Sequence, residues 1–229
     1  MTKDNSTPHG AAQYDAEILR TVPFYYQFHA ETIDLVRTLL PGVSVWLDTG
    51  CGTGYLTEYA LPLFPGTRFL LADPSQAMLD LALIRLAPYL STRATVLGAM
   101  STEQLEGSLS ETPQVISAIQ CHHYGGRQAR ASATAACFRL LEAGGVYVTF
   151  ENIRPDTARG IEIGLDRWCA FQLEAGRSTK GVEEHRARFD RNYFPITVSE
   201  HLELLRTTGF GVVELFWLSY MQAGFYAIK

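Results

Sequence analysis

Residues 46–54 read Trp46-Leu47-Asp48-Thr49-Gly50-Cys51-Gly52-Thr53-Gly54, and this stretch decides the fold. Val43 to Asp48 is a β-rich run, and Tyr55 to Leu63 has the pattern of a helix. Three glycines therefore occupy the turn between a strand and a helix. Glycine suits a tight turn whose backbone a ligand must approach closely. A dinucleotide-binding turn needs G-x-G-x-x-G. Counted from Gly50 the third glycine position holds Tyr55, and counted from Gly52 it holds Thr57, so that fingerprint fails. What stands here is D-x-G-x-G-x-G, with an acid ahead of the glycines.

Outward from this stretch strands and helices alternate. Arg68 to Ala72 reads as the next strand and Gln76 to Leu86 as the next helix. Ala94 to Leu97 and Val115 to Ile119 are short strands, Arg127 to Leu141 is a helix, and Val146 to Phe150 is a strand after the Gly144-Gly145 turn. Such alternation predicts a parallel sheet covered by helices on both faces. Ahead of it, Tyr14 to Leu40 predicts two helices broken at Pro23, which fits the first turn of the second. Past Glu151 the regularity stops. Residues 155–194 are rich in arginine and aromatics and read as a helical insertion able to close over a site as a lid. Val198 to Thr207 is again helical, capped by Thr197 or Ser199. Gly211 to Trp217 and Ala223 to Ile228 are strands close enough to pair antiparallel.

The whole suits one domain, 1–229, with residues 14–42 as an N-terminal helical cover. Hydrophobic residues make up 47% of the chain, enough to fill a core, and the formal net charge of −5 disfavours non-specific nucleic-acid binding. Cys51, Cys121, Cys137 and Cys169 form no C-x-x-C pair, so a reducing, cytoplasmic setting without structural zinc is expected. No apolar run is long enough to cross a bilayer. The first dozen residues are polar and are expected to be mobile without ligand.

About twenty residues past the glycines the second strand ends in Leu71-Ala72-Asp73-Pro74-Ser75. An acid at this place bonds ribose hydroxyls in Rossmann-like folds, although Asp73 could equally cap the helix that follows. LDTGCGTG followed by LADPS resembles the first two motifs of the class I S-adenosylmethionine (SAM)-dependent methyltransferases, and the resemblance extends over nearly the whole chain. It implies a Rossmann-like α/β sheet of seven strands, mostly parallel, with the last antiparallel. SAM carries an ammonium, a sulfonium and a carboxylate. Asp48 then suits the ammonium, the backbone amides of Gly50, Cys51, Gly52 and Gly54 suit the carboxylate, and Asp73 suits the ribose. Met78 is spaced to lie against the adenine. By the same resemblance Ala99 and Met100 border the adenine, and Gln120 faces the sulfonium.

Three further stretches are similar to the carboxy-SAM synthase subgroup: Ile18 to Tyr25, the insertion reaching His185-Arg186, and Gly209 to Lys229. That similarity implies that Tyr25 covers the cofactor and that Arg186 meets a substrate carboxylate. The chain departs from the subgroup at Gly52-Thr53 and at Ile119-Gln120-Cys121-His122-His123-Tyr124, so the synthase activity is not transferred.

Methyl transfer asks for proximity, orientation and a base when the nucleophile is protonated. His122 and His123 follow the fourth strand, at the edge where parallel sheets bind ligands. Neighbours on an extended chain point opposite ways, so one of them is expected to face the site. His123 is preferred as catalytic and His122 as substrate-binding, with a partner-bonded structural histidine as the competing reading. No metal is expected, because the sequence shows no H-x-x-x-H and no nearby carboxylate. Asn152, Tyr193 and Ser219 complete the catalytic candidates, against a background of turn formation and ordinary packing.

The leading expectation is methylation of a small-molecule nucleophile, yielding S-adenosylhomocysteine. The alternative takes SAM itself as substrate, either for carboxy-SAM formation or, as in methyltransferase-like SAM cyclases, for closure to azetidine-2-carboxylate with release of methylthioadenosine. A SAM-binding regulator is the third reading. No membrane or nucleic-acid partner is expected, and a homodimer is allowed.

Overall fold

The computed structural model describes Asp4 and residues 6–229. Seven strands form one sheet in the order β3-β2-β1-β4-β5-β7-β6. They are β1 (Val45–Thr49), β2 (Arg68–Asp73), β3 (Ala94–Ala99), β4 (Val115–Ile119), β5 (Val146–Asn152), β6 (Val212–Ser219) and β7 (Gln222–Ile228). All pairings from β3 to β5 are parallel, and β7 runs antiparallel to both of its neighbours. The strand order reverses between β1 and β4. At such a switch point the connecting helices leave on opposite faces, and a crevice opens at the carboxyl ends of the strands.

Side chains along β1 alternate between two cores. Trp46 packs with Phe69, Leu71, Val115 and Phe150 beneath α1 (Tyr14–Thr21), α2 (Tyr25–Leu39) and α6 (Ala158–Glu174). Val45 and Leu47 pack with Leu70, Ile116 and Tyr147 beneath α5 (Arg127–Leu140) and α8 (Val198–Thr208). The remaining helices are α3 (Tyr55–Ala60), α4 (Gln76–Arg85) and α7 (Thr179–Arg186). Thr197 caps α8 in a reciprocal capping box with Glu200. Pro23 lies ahead of α2 and not in its first turn. The residue at the helix start is Phe24, held at φ 56°, which redirects the chain after α1.

The insertion is helical, and two of its large side chains face inward. Leu165 and Trp168 of α6 join the core under the N-terminal helices, and Trp168 Nε1 donates to Thr21 O at 2.5 Å. The N-terminal stretch expected to be mobile falls partly outside the described residues, at 1–3 and 5. In the rest, Asp4 accepts hydrogen bonds from Ser75 Oγ (2.8 Å) and Ala77 N (3.0 Å), Arg188 donates to Ser6 O (2.5 Å), and His9 Nε2 pairs with Thr21 Oγ1 (2.8 Å). No helix of the described residues is long and apolar enough to cross a membrane.

Candidate functional site

A cavity of about 360 Å³ opens at the carboxyl ends of β1, β2 and β4, where the switch point places it. Its floor is the loop after β1. Gly50, at φ +65°, is required by close approach: a Cβ there would come within 2.5 Å of Cys121 Cβ. Gly52, at φ +55°, has nothing within 4 Å of an added Cβ, and it lines the cavity, so its missing side chain leaves room for a ligand. Gly54, at φ +78°, serves close approach away from the cavity. At the start of α3 its Cβ position lies 3.2 Å from Ala82 Cβ and Leu86 Cδ1, so it packs α3 on α4 outside the lining.

Asp73 braces this floor. Its Oδ2 accepts from Gly52 N at 2.9 Å and its Oδ1 from Ser75 N at 2.8 Å. The helix cap is Ser75, whose Oγ accepts from Met78 N, so Asp73 is not the cap. A carboxylate offers about four acceptor positions, and two here are left for a ligand. Burial pushes the Asp73 carboxyl up against the pull of those two amides. Asp48 is buried at the end of β1, with Ser117 Oγ donating to Oδ1 at 2.7 Å and Thr57 Oγ1 to Oδ2 at 3.4 Å. Burial outweighs these bonds and lifts its carboxyl to about 7. A cationic ligand beside it would restore the charged form.

The cover comes from the N-terminus. Asp4, Ser6, Thr7, Tyr14, Tyr25 and His29 all line the cavity, and the hydroxyls of Tyr14 and Tyr25 meet at 3.3 Å. Asp15 ties α1 to the floor by accepting from Thr53 Oγ1 at 2.7 Å. Among the described residues, three buried polar atoms without a partner belong to cavity-lining side chains: His29 Nδ1, Gln120 Nε2 and Arg130 Nε. Unpaired buried polar groups are costly, so these mark places a polar ligand would fill.

With this geometry in view, residues 47–147 match the family model described as a methyltransferase domain. The carboxy-S-adenosyl-L-methionine synthase of Trichodesmium erythraeum is 24% identical over 202 residues, covering 88% of this chain and 79% of its own. That of Nautilia profundicola is 22% identical and covers 96% and 92%. Over residues 47–147 the chain is thus similar to methyltransferase domains, and over most of its length it is similar, at low identity, to carboxy-SAM synthases. A putative O-methyltransferase from Nostoc punctiforme superposes with a TM-score of 0.69 at 14% identity over 96% of this chain, and an O-methyltransferase family protein from Burkholderia thailandensis with 0.62 at 13% over 89%. The chain spans 60% and 56% of those two longer proteins, and their likeness concerns the fold.

The donor set suits SAM: carboxylates at Asp48 and Asp73 for a cation and a ribose, an open Gly52, and unpaired nitrogens on His29 and Gln120. Of the residues expected from sequence, Tyr25, Asp48, Gly50, Cys51, Gly52, Asp73, Met78, Gln120 and His122 line the cavity. Ala99 and Met100 do not. Met100 N still donates to Asp73 O at 3.2 Å, which prolongs the β2–β3 pairing, and Met100 packs against the second core. The chain turns to the cavity only at Ser101, Thr102 and Glu103.

The two histidines exchange places relative to expectation. His122–Tyr124 is a 3₁₀ turn and not an extended segment, so the alternation argument has no hold. His122 borders the cavity with both nitrogens engaged, Nε2 to Thr102 Oγ1 at 2.9 Å and Nδ1 to Tyr147 OH at 3.1 Å. His123 is 0% exposed and faces inward to Glu151 and Asn152. Sequence reading missed Glu151. Its carboxylate accepts from His122 N, His123 N, His123 Nδ1 and Thr149 Oγ1, which fixes the turn after β4 to β5. Burial works to raise this carboxyl, but the hydrogen bond and charge of His123 overcome it and hold it at about 2. The only sequence signal was an acid inside an otherwise apolar strand end.

Glu151 is also the carboxylate partner that spacing did not reveal: donor atoms of Cys121, His122 and Glu151 lie within 4.8 Å of one another. These donors are spent on Thr49 O, Thr102, Tyr147 and backbone amides. Asn152 lies behind the cavity, joined to His123 Nε2 (3.1 Å) and Gln222 Nε2 (3.2 Å). Tyr193 stacks on His185, its hydroxyl unpaired, and Ser219 ends the edge strand β6. Arg186 pairs with Asp166 at 2.7 Å, beyond the lining. None of these four lines the cavity.

Proposed function

We propose that this protein binds SAM in the cavity and transfers its methyl group to a small-molecule nucleophile. The observation that carries the reading is the covered cavity of about 360 Å³ over the Gly50–Gly52 floor and Asp73. That volume is at the low end of the roughly 300–1,000 Å³ typical of small-ligand pockets, which leaves space for the cofactor and only a small acceptor. When bound, SAM supplies a methyl group on a sulfonium, an electrophile that needs no further activation. Asp73 holds the ribose hydroxyls, Met78 packs against the adenine, Asp48 offsets the ammonium charge, and the amide side chain of Gln120 meets the reacting end. Tyr14, Tyr25, Asp4, Ser6 and Thr7 exclude water and fix the approach, so orientation supplies most of the rate. His122 acts through Thr102 and Tyr147 as a fixed wall and not as a free base.

The test is mass spectrometry of the purified protein with SAM alone and then with a fractionated metabolite extract. S-adenosylhomocysteine formed only with a small-molecule fraction is the expected result. Product formed only with a protein or RNA fraction would overturn it.

A second reading, in which SAM is itself the substrate, draws support from the carboxy-SAM synthase relatives and from the limited space beside the cofactor. Carboxy-SAM formation is the weaker version, since Arg186 stays outside the cavity. In the cyclisation version a nitrogen–γ-carbon bond forms as the γ-carbon–sulfur bond breaks. The amine proton is lost, and methylthioadenosine leaves. Its appearance from SAM alone would favour this reading.

A further inference from the structure

His29 brings one of the unpaired nitrogens to the cavity wall. It lies one turn past Tyr25 on α2, is 2% exposed, and lines the cavity. Its ring is held between two others, with centroids 4.9 Å from Tyr25 and 5.0 Å from Tyr55. Tyr55 opens the helix that follows the glycine loop, and Tyr55, His29 and Asp48 all line the cavity. Its Nδ1 is buried without a hydrogen-bond partner.

Packing alone does not account for an imidazole here. A phenyl ring would make the same edge contacts with Tyr25 and Tyr55 and would leave no buried nitrogen unpaired. Burial also depresses its basicity, to about 3, so at neutral pH the ring is uncharged and one nitrogen carries a free lone pair. A neutral imidazole nitrogen is an acceptor for an N–H group. Asp48 lines the same cavity, so an N–H-bearing cation there would find an acceptor in His29 and a counter-charge in Asp48, whose carboxyl such a cation returns to the charged form.

We propose that His29 is a binding residue for the amino-acid half of SAM, with its unpaired Nδ1 accepting a hydrogen bond from the cofactor ammonium. This rests on the reading of the cavity as a SAM site, and it adds the N-terminal helix α2 to the machinery that recognises the cofactor. It also explains why the cover is a helix and not a plain apolar flap: the same turn that shields the cavity through Tyr25 presents a polar contact through His29.

The experiment compares wild type, His29→Phe and His29→Asn by calorimetry with SAM and with methylthioadenosine, which lacks the amino-acid half, alongside thermal melts. His29→Phe is expected to keep or raise the melting temperature of the free protein, because a buried unpaired nitrogen is removed. It should weaken SAM at least tenfold and leave methylthioadenosine within twofold. His29→Asn, whose amide oxygen can replace Nδ1, should recover part of the SAM affinity. The proposal is overturned if His29→Phe binds SAM within twofold of wild type, or if it loses SAM and methylthioadenosine in equal measure. Wild-type protein that binds neither compound would instead reject the underlying SAM reading, which separates the two failures.

Discussion

Gly50 and Gly52 are two residues apart, share a left-handed backbone, and make opposite demands on a methyl group. An alanine at either position adopts positive φ at a cost of about 1–2 kcal/mol. At Gly52 nothing lies within 4 Å of the new Cβ, so this backbone cost is the whole penalty for the free protein. At Gly50 the new Cβ meets Cys121 Cβ at 2.5 Å and Sγ at 2.8 Å. Forced overpacking of this kind adds about 1–3 kcal/mol, for roughly 2–5 kcal/mol in total. Binding should order the two the other way, because the Gly52 methyl projects towards the cavity and the Gly50 methyl towards Cys121. Urea melts give the stabilities and calorimetry gives the SAM affinity of the folded fraction. Gly52→Ala should cost little stability and at least tenfold in affinity, whereas Gly50→Ala should lose mainly stability, part of it recovered by Cys121→Gly. Equal destabilisation of the two, or wild-type SAM affinity in Gly52→Ala, would refute this account of the loop.

Three other outcomes are expected. Asp73→Asn leaves one of the amides of Gly52 and Ser75 facing an N–H group, so it should lower stability by roughly 1–3 kcal/mol and weaken SAM as well; unchanged melting would contradict the bracing role. His29 and His185, held at about 3, and His201, at about 4, are buried as neutral rings against an ordinary value of 6.5. The folded state then binds fewer protons than the unfolded one between about pH 4 and 6.5, so each costs up to about 1.4 kcal/mol per pH unit as pH falls, while Asp48, raised to about 7, opposes them over 3.8 to 7. Stability measured by urea midpoints should therefore decline from pH 6.5 to 5, with Glu151 adding a further loss only below about 4.5; a flat or rising profile on acidification would be inconsistent. Trp168→Ala should cost about 3–5 kcal/mol, as expected of a core side chain, whereas removal of residues 1–8 should leave the melting temperature nearly unchanged and weaken SAM; the reverse pattern would return the covering role to the insertion.

Much of the architecture was legible in the chain because it is written in local patterns. The run of Trp46 to Asp48, the alternation of strands and helices, and the glycine spacing that excludes a dinucleotide each depend on residues within a few positions of one another. They determine the sheet, its parallel core and the place of the ligand loop. Asp48 and Asp73 were found for the same reason, since each ends a strand beside that loop. Tertiary structure decided what depends on distant partners. Glu151 and the histidines 28 and 29 residues before it meet only because β4 and β5 lie side by side, and a 3₁₀ turn then sends His122 to the cavity and His123 inward. The direction of the insertion's side chains also depends on distant partners. Arginines and aromatics made residues 155–194 look like a lid, but composition carries no direction, and Trp168 points into the core. Asp4, Ser6, Thr7 and the turn of α2 bearing Tyr25 and His29 line the cavity, although they stand more than twenty residues before the glycine loop in sequence. Local periodicity sets which residues share a face, and only the packing of whole elements sets what that face meets.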